Sequence, residues 1–409
     1  MRKIIICLLI TSILLLSAGC GSAAEDGDPV PAANTTIPIF NRDHQEIGQI
    51  SCFRYSILTD QGILYTKLPK GTASADPKKL EYHLYDIGSG KDHTLATIRD
   101  WYYEASHEAI EKDGHLYLSV STGKYGERKN STQTIYDIDL QKYEMTPLLQ
   151  IEGGIPYNSY TIIGDELILA ELLDSGDTDL IRVDLKNKPK KPIFHKYDEK
   201  NVFVPDSIRH VFSDGENLYM LRLDWDDREN YSLYLDTYDP ELNRTGTLDI
   251  TDTCVAAVNE KNQAEIQNEC RQFVGEFFVK DQFFFYQNFS ITNFLGRLTD
   301  QKLERFAETD DLFTYVTCAD PKAPLLFCRI FGDDSDDRTR RNLFYLVDPD
   351  TAVIKTAEFY SDNSLCTFRS ATRSPQGKIL LTMAYDPWED EEPVPERLYF
   401  LDQGDLEFK

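Results

Sequence analysis

Three tryptophans carry the most legible chemistry in this chain. Trp101 stands in RDWYYEAS beside Tyr102 and Tyr103, Trp225 in LDWDDREN and Trp388 in DPWEDEEP. A flat aromatic face takes up a sugar ring or an apolar side chain by stacking and needs no charge to do so. All three indoles fall in polar stretches between strand-like runs. That position fits a set of stacking platforms. It fits equally a set of anchors that pin their own loops, since Trp is usually largely buried.

Carboxylates crowd similar stretches: Asp174, Asp177 and Asp179; Asp226, Asp227 and Glu229; Asp333, Asp334, Asp336 and Asp337; Glu389 to Glu392. None has the alternating acidic pattern, central glycine and closing Glu of a calcium loop. Solvated charge on loops accounts for them without a metal. Two carboxylates about 5–10 Å apart can hydrolyse a glycoside. A chain with 69 acidic residues offers such pairs by chance. His107 in EASHEAI and His210 in SIRHVFS end strand-like runs, where they either pack or face one another. The chain has no G-x-S-x-G elbow, no H-E-x-x-H, no P-loop and no G-x-G-x-x-G. No catalytic residue, metal or cofactor is therefore assigned, and enzymatic activity stays open.

The formal net charge of −26 argues against nucleic acid, whose phosphates need Lys and Arg, and equally disfavours direct adhesion to anionic lipid. Acidity of this size keeps a surface soluble and attracts cations or basic partners. Eight cysteines are present, none in a zinc spacing such as C-x-x-C.

The first residues give an address. Arg2 and Lys3 precede an uncharged run, Ile4 to Leu16, too short to span a bilayer, which takes about 20 residues. Small residues follow, as in a secretory signal peptide. SAGC, with Cys20 last, resembles the lipobox of bacterial lipoproteins, with Ser17 where that family usually has Leu. The resemblance implies cleavage before Cys20, diacylglycerol on its thiol and an acyl chain on its amine. Buried CH₂ groups on that scale anchor a protein stably. Residues 1–19 are then the signal peptide, and losing their two positive charges takes −26 to −28. Residues 20–35, small, polar and Pro-containing, read as a flexible tether. The body stands outside the membrane. Gly21 after the cysteine implies the outer membrane in a two-membrane bacterium, and otherwise the cell membrane. Six cysteines remain in the mature chain: Cys52, Cys254, Cys270, Cys318, Cys328 and Cys366. An even count outside the membrane permits disulfides, with Cys52–Cys366 and Cys318–Cys328 as candidate pairs beside free, buried thiols.

The elements that must position the aromatic residues repeat along the body. A tight turn and an apolar strand recur in TDQGILYTKL, EKDGHLYLSV, IIGDELILAE, SDGENLYMLR and PQGKILLTMA. A second strand closing on Asp recurs in YHLYDI, TIYDIDL, LIRVDL, LYLDTYD, NFLGRLTD, LFYLVD and RLYFLD. The closing residues are Asp86, Asp137, Asp184, Asp239, Asp300, Asp348 and Asp402, at intervals of 47 to 61 residues. About seven four-stranded meanders over residues 36–409 resemble a β-propeller, all-β, with six or eight blades as the alternatives. Packed radially, each sheet covers its neighbour. IPIF (37–40) is placed to pair with the last blade and close the ring.

Antiparallel order then picks out one face. With strands lettered A to D in each blade, the A–B and C–D turns lie at one end of the disc, and the B–C loops and D–A connections at the other. The A–B turns are tight, as in KDG and PQG. The B–C loops are long, as in PKGTASADPKK, TGKYGERKNST, GDDSDDRTRRN and DPWEDEEPVPE. Long loops on a rigid scaffold carry binding. Trp101, Tyr102, Tyr103, Trp225 and Trp388 all map to that end. The expectation is a lipid-anchored propeller that binds a glycan, a peptide or an envelope protein there. An enzyme acting on carbohydrate or peptide at the same mouth, and a structural subunit of an envelope complex, are the alternatives.

Overall fold

In the computed structural model, the residues described are 34–70, 79–100, 109–123, 132–152, 160–172, 178–196, 210–225, 231–253, 276–280, 283–288, 292–299, 302–309, 312–315, 317–318, 325–331, 343–347, 353–360, 367–385 and 394–409. Strands β1 (Thr35–Phe40) and β2 (Glu46–Cys52) form an antiparallel hairpin. The first sheet follows, β3 (Arg54–Leu58), β4 (Ile63–Lys67), β5 (Lys79–Asp86) and β6 (Lys91–Arg99). The second is β7 (Ala109–Lys112), β8 (His115–Thr122), β9 (Thr132–Asp139) and β10 (Glu144–Glu152). The third is β11 (Tyr160–Ile163), β12 (Glu166–Leu172) and β13 (Thr178–Asp184), with β14 (Ile193–Lys196) after it. The fourth is β15 (His210–Ser213), β16 (Leu218–Trp225), β17 (Tyr231–Tyr238) and β18 (Arg244–Asp249). The fifth is β19 (Glu276–Lys280), β20 (Phe283–Asn288), β21 (Thr292–Leu298) and β22 (Leu303–Thr309). In the sixth, β23 (Leu312–Tyr315) pairs with β25 (Leu325–Phe331), which is followed by β26 (Leu343–Val347) and β27 (Ile354–Glu358). The short β24 (Thr317–Cys318) leaves it to run parallel to the first strand of the last sheet. The last is β28 (Thr367–Arg373), β29 (Lys378–Tyr385) and β30 (Val394–Asp402).

Each sheet is an antiparallel meander, and the sheets follow one another around a β-propeller. The driving force is apolar alternation. One face of a sheet packs on the sheet before it and the other on the sheet after it, so both faces read as hydrophobic. Leu116, Leu118 and Val120 of β8 pack on Leu80, Tyr82 and Leu84 of the first sheet. Tyr117 of the same strand turns the other way, onto Tyr160, Leu167 and Leu169 of the third. The ring closes as the IPIF stretch implied. Ile39 pairs in parallel with Leu398 and Phe40 with Tyr399, which adds β1 to the outer edge of β30. Ile37, Ile39 and Ile50 then pack against Leu58, Ile63 and Tyr65 of the first sheet and Leu380 and Leu398 of the last. Leu58 N–H donates to Thr372 Oγ1 across the same seam.

Turn chemistry sets the hairpins. Asp113 and Gly114 both take positive φ, 51° and 78°, and close β7 onto β8 in a two-residue turn whose backbone twist matches the strands. Gly62 is required for a different reason. A Cβ there would lie 2.1 Å from the Tyr85 carbonyl oxygen.

Three sequence expectations are corrected. Among the described residues the third sheet has three strands. Its expected fourth, β14, instead adds in parallel to β10, with Leu149 opposite Ile193 and Gln150 opposite Phe194. The proline-bearing stretch KNKPKKP before β14 carries the chain across to the second sheet. In the second unit the turn-closing aspartate is Asp139 rather than Asp137. Asp139 Oδ1 accepts from Gln141 N–H and Lys142 N–H. The cysteine pairs also shift. Cys52 ends β2 opposite Thr35 and is not on the first sheet's inner strand. Cys328 lies opposite Thr314 as a free, fully buried thiol, while Cys318 has crossed to pair with Arg373. The Cys318–Cys328 bridge is therefore not made. Cys254, Cys270 and Cys366 lie outside the described residues.

Candidate functional site

The C–D corners show what the recurring Asp does. Asp86 Oδ1 accepts from Ser89 N–H, Asp184 Oδ1 from Lys186 and Asn187 N–H, Asp239 Oδ1 from Asn243 N–H, and Asp402 Oδ1 from Gly404 N–H. Side-chain bonds back the carboxylates: from Ser89 to Asp86, Lys142 to Asp139, Asn187 to Asp184, Asn243 to Asp239 and Lys378 to Asp402. These bonds, the largest cause in each case, hold all five carboxyls below the usual range. These five aspartates are corner caps that need the charged form, and the role of the motif at them is structural, while Asp300 and Asp348 lie outside the described residues.

The A–B turns at the same end are bonded sheet to sheet. Gln376 N–H of the last sheet donates to Asp60 Oδ1 of the first. Asp60 N–H donates to both carboxylate oxygens of Glu111 in the second, at 3.2 Å. Lys112 donates to the Gly164 carbonyl and to Asp165 Oδ1 in the third. Glu111 is buried. That burial, with the nearby Asp60 charge adding to it, pushes its carboxyl up to about 7 against the opposing pull of the Asp60 N–H.

Two imidazoles are fixed by carboxylates. His115 Nδ1 lies 2.7 Å from Asp137 Oδ1, while Lys188 Nζ donates to Asp137 Oδ2 at 2.7 Å and sits 5.3 Å over the Tyr117 ring. His83 Nδ1 lies 3.1 Å from both oxygens of Asp92, and its Nε2 lies 3.4 Å from Glu81 Oε2. His83 is buried against Tyr65, whose phenol burial and then Asp92 push well above its usual range. At His115 a carboxylate on Nδ1 leaves Nε2 to act, the geometry of a general base, whereas His83 Nε2 faces Glu81. Among the described residues the polar partners of His115 are Asp137 and Lys188, with no hydroxyl or thiol for it to activate. No group of His, Cys, Asp and Glu among the described residues is placed to hold a metal. Sequence reasoning passed over these clusters because they carry no motif and are assembled by strand register and, at His115, by Lys188 from a distant segment. The one available signal was the second aspartate of YDID, which left Asp137 unexplained once Asp139 had capped the corner.

Of the residues singled out from the sequence, Trp225 is the last residue of β16, its backbone opposite Tyr231, rather than within the following loop. It therefore belongs to the B–C end of the fourth sheet. His210 begins β15 opposite Leu221. Cys20, Trp101, Tyr102, Tyr103, Trp388 and His107 lie outside the described residues, as do the acidic loop clusters apart from Asp179, whose backbone pairs with Glu171 in the third sheet.

No family model matches the chain, and no curated protein matches it in sequence. Among solved structures, it is similar to a puromycin-hydrolyzing peptidase of Mycobacterium tuberculosis, with a TM-score of 0.46 and 9% identity over 95% of this chain and 55% of that one. It is also similar to the N-terminal domain of Nup159, with a TM-score of 0.36 and 10% identity over 87% and 88% of the two chains. The tricorn protease gives a TM-score of 0.30 and 12% identity over 86% and 30%. The chain spans about half the length of the first of these. None of the three carries an argument about activity. The class of protein is set by the chain's own sheets, a β-propeller.

Proposed function

We propose that this chain is a lipid-anchored, extracytoplasmic binding protein, held at the membrane through Cys20, that takes up a ligand or an envelope partner on the end of the ring carrying the B–C and D–A connections. One asymmetry supports this reading. The described A–B and C–D turns are short and capped by their own side chains, and the A–B turns of the last, first, second and third sheets are bonded in series, so that end is a closed scaffold. The connections running from 68 to 78, 123 to 131, 332 to 342 and 386 to 393 all leave strands at the other end. A rigid ring with its chain length gathered on one side is the arrangement that presents recognition loops. The enzymatic alternative has one observation in its favour, the His115–Asp137 pair, and that pair lies at the scaffold end.

The test is a binding screen of glycans, peptidoglycan fragments and short peptides against the mature chain from residue 20 with Cys20→Ala. Saturable binding of one class, reduced by changes at Trp225 or Trp388 and unaffected by His115→Ala, supports the reading. Turnover of a bound compound that His115→Ala abolishes replaces it with the enzymatic one. Lipidation is read separately, from the intact mass of the membrane-extracted protein.

A further inference from the structure

The displaced strand β14 sits in unusual company. Residues 186–196, KNKPKKPIFHK, hold five lysines and no acidic residue, in a chain whose formal charge is −26. Two of those cations are accounted for. Lys188 is bound to Asp137, and Lys186 lies beside the Asp184 cap. Lys190 and Lys191 are exposed and have no ion pair among the described residues. Three positions on, Phe194 is 68% exposed, the most exposed of the large apolar side chains described. β14 is the outermost strand of its sheet, so Phe194 and the lysines stand on the rim of the disc rather than on either face.

We infer that this rim segment is a membrane contact, which lays Phe194 into the headgroup boundary of an anionic bilayer while Lys190 and Lys191 meet its phosphates. Charge complementarity selects the partner locally: the chain's overall charge opposes an anionic bilayer, so contact is confined to this cationic stretch, where Lys190 and Lys191 face outward. The aromatic ring distinguishes a bilayer from a purely ionic partner, since an interfacial site combines apolar insertion with cations around it. Pro189 and Pro192 limit the backbone freedom that would be lost on contact. The inference rests on the anchored reading for the presence of a membrane. The anchor raises the local concentration of bilayer, so a weak contact is enough to orient the disc. The N-terminal hairpin also lies on the rim, with β2 outermost in the last sheet. A tether over residues 20–34 reaches at most about 50 Å, which keeps that rim close to the surface. The disc would then stand on edge, with its loop face open sideways to the periplasm or medium.

The experiment is co-sedimentation of the mature Cys20→Ala chain with vesicles of phosphatidylglycerol mixed with phosphatidylcholine, and with phosphatidylcholine alone, at low salt. Binding to the mixed vesicles is expected, weak or absent binding to the neutral ones, and a fall with added salt. Removing a lysine should cost about fivefold, so Lys190→Gln with Lys191→Gln costs about 25-fold. Phe194→Ser should cost about tenfold. All three side chains are exposed, so thermal midpoints should not move. If Phe194→Ser does not fold, the lysine pair still decides. Equal sedimentation of wild type and the double variant overturns the inference, as does equal affinity for neutral vesicles. Self-association in the ultracentrifuge that these substitutions abolish, without vesicle binding, assigns the rim to a second copy instead. A chain normally acylated but indifferent to anionic vesicles overturns the rim contact alone. A chain never acylated overturns the anchor and leaves the vesicle result standing.

Discussion

The buried carboxylate of Glu111 takes the Asp60 N–H on both oxygens, at 3.2 Å each, and so ties the inner strand of the second sheet to the A–B turn of the first. Asp60 in turn holds Gln376 of the last sheet through its own carboxylate. One residue thereby links three consecutive sheets at the point where the ring closes.

A pH dependence follows. Glu111 binds its proton more tightly folded than unfolded, because burial raises it from 4.5 to about 7. Its contribution to stability is full below about pH 4.5 and is lost as pH rises through about 7. The shift corresponds to about 3 kcal/mol. Glu111→Gln keeps an acceptor for Asp60 N–H and removes the charge. Urea unfolding of both proteins should show the variant gaining on wild type across that interval. Parallel curves would mean that Glu111 does not titrate there. Asp86, Asp139 and Asp402, held below the usual range, act in the opposite sense and weaken the fold as pH drops below about 4.

Asp137 and Asp139, two residues apart, should respond very differently to truncation. Asp139→Ala removes a corner cap and should cost about 1 kcal/mol. Asp137→Ala strips the partner from both His115 and Lys188 in a half-buried seam, and should cost about 2–3 kcal/mol. Equal costs from thermal unfolding would contradict the assignment of the two roles.

That pair shows where the sequence was legible and where it was not. Strand rhythm and tight turns announced the sheets, because both are local: alternating apolar residues, and Asp-Gly where the backbone needs positive φ. The closure by Ile37–Phe40 was legible as an apolar strand lying before the first repeat, free to add to the last one. The register of YDID was not, since either aspartate can end a strand and only the pairing of Asp139 with His115 chooses between them. The departure of β14 was hidden for a similar reason. An edge strand pairs equally well with β13 or β10, and the linker before it decides. The cluster around Glu111 depends on which sheets adjoin, and those around His83 and His115 on strand register and on Lys188 of the displaced segment, none of which a local pattern encodes.

Ring closure is testable at Ile39, fully buried between the last and first sheets. Ile39→Ala should cost about 2–5 kcal/mol through lost contact and the cavity left behind. Amide exchange should quicken along β30, at Leu398 and Tyr399, whose partners in β1 are then held less firmly. Ile47→Ala, on the outer strand of the same hairpin and 38% exposed, should stay within about 0.5 kcal/mol. Equal sensitivity at the two sites would mean that the hairpin packs as a surface appendage and not as the closing strand.

The tryptophans decide between recognition and anchoring. Trp225 closes β16 at the B–C end of the fourth sheet, and Trp101 and Trp388 stand in connections that leave sheets at that same end. If the indoles are stacking platforms, Trp101→Ala, Trp225→Ala and Trp388→Ala should each weaken binding of the ligand found in the screen. A stacking contact contributes about 1 kcal/mol, so each loss is several-fold and not total. Ligand should also shift the tryptophan emission of wild type, and the shift should shrink as each indole is removed. Stability should fall by less than about 1 kcal/mol per substitution, because an exposed ring leaves no cavity. Loop anchors give the reverse: about 3–5 kcal/mol lost from unfolding, no specific binding defect and emission insensitive to ligand. Acrylamide quenching separates the two before any ligand is known. Platforms are quenched in the native protein, whereas three protected indoles would end the case for an aromatic binding face.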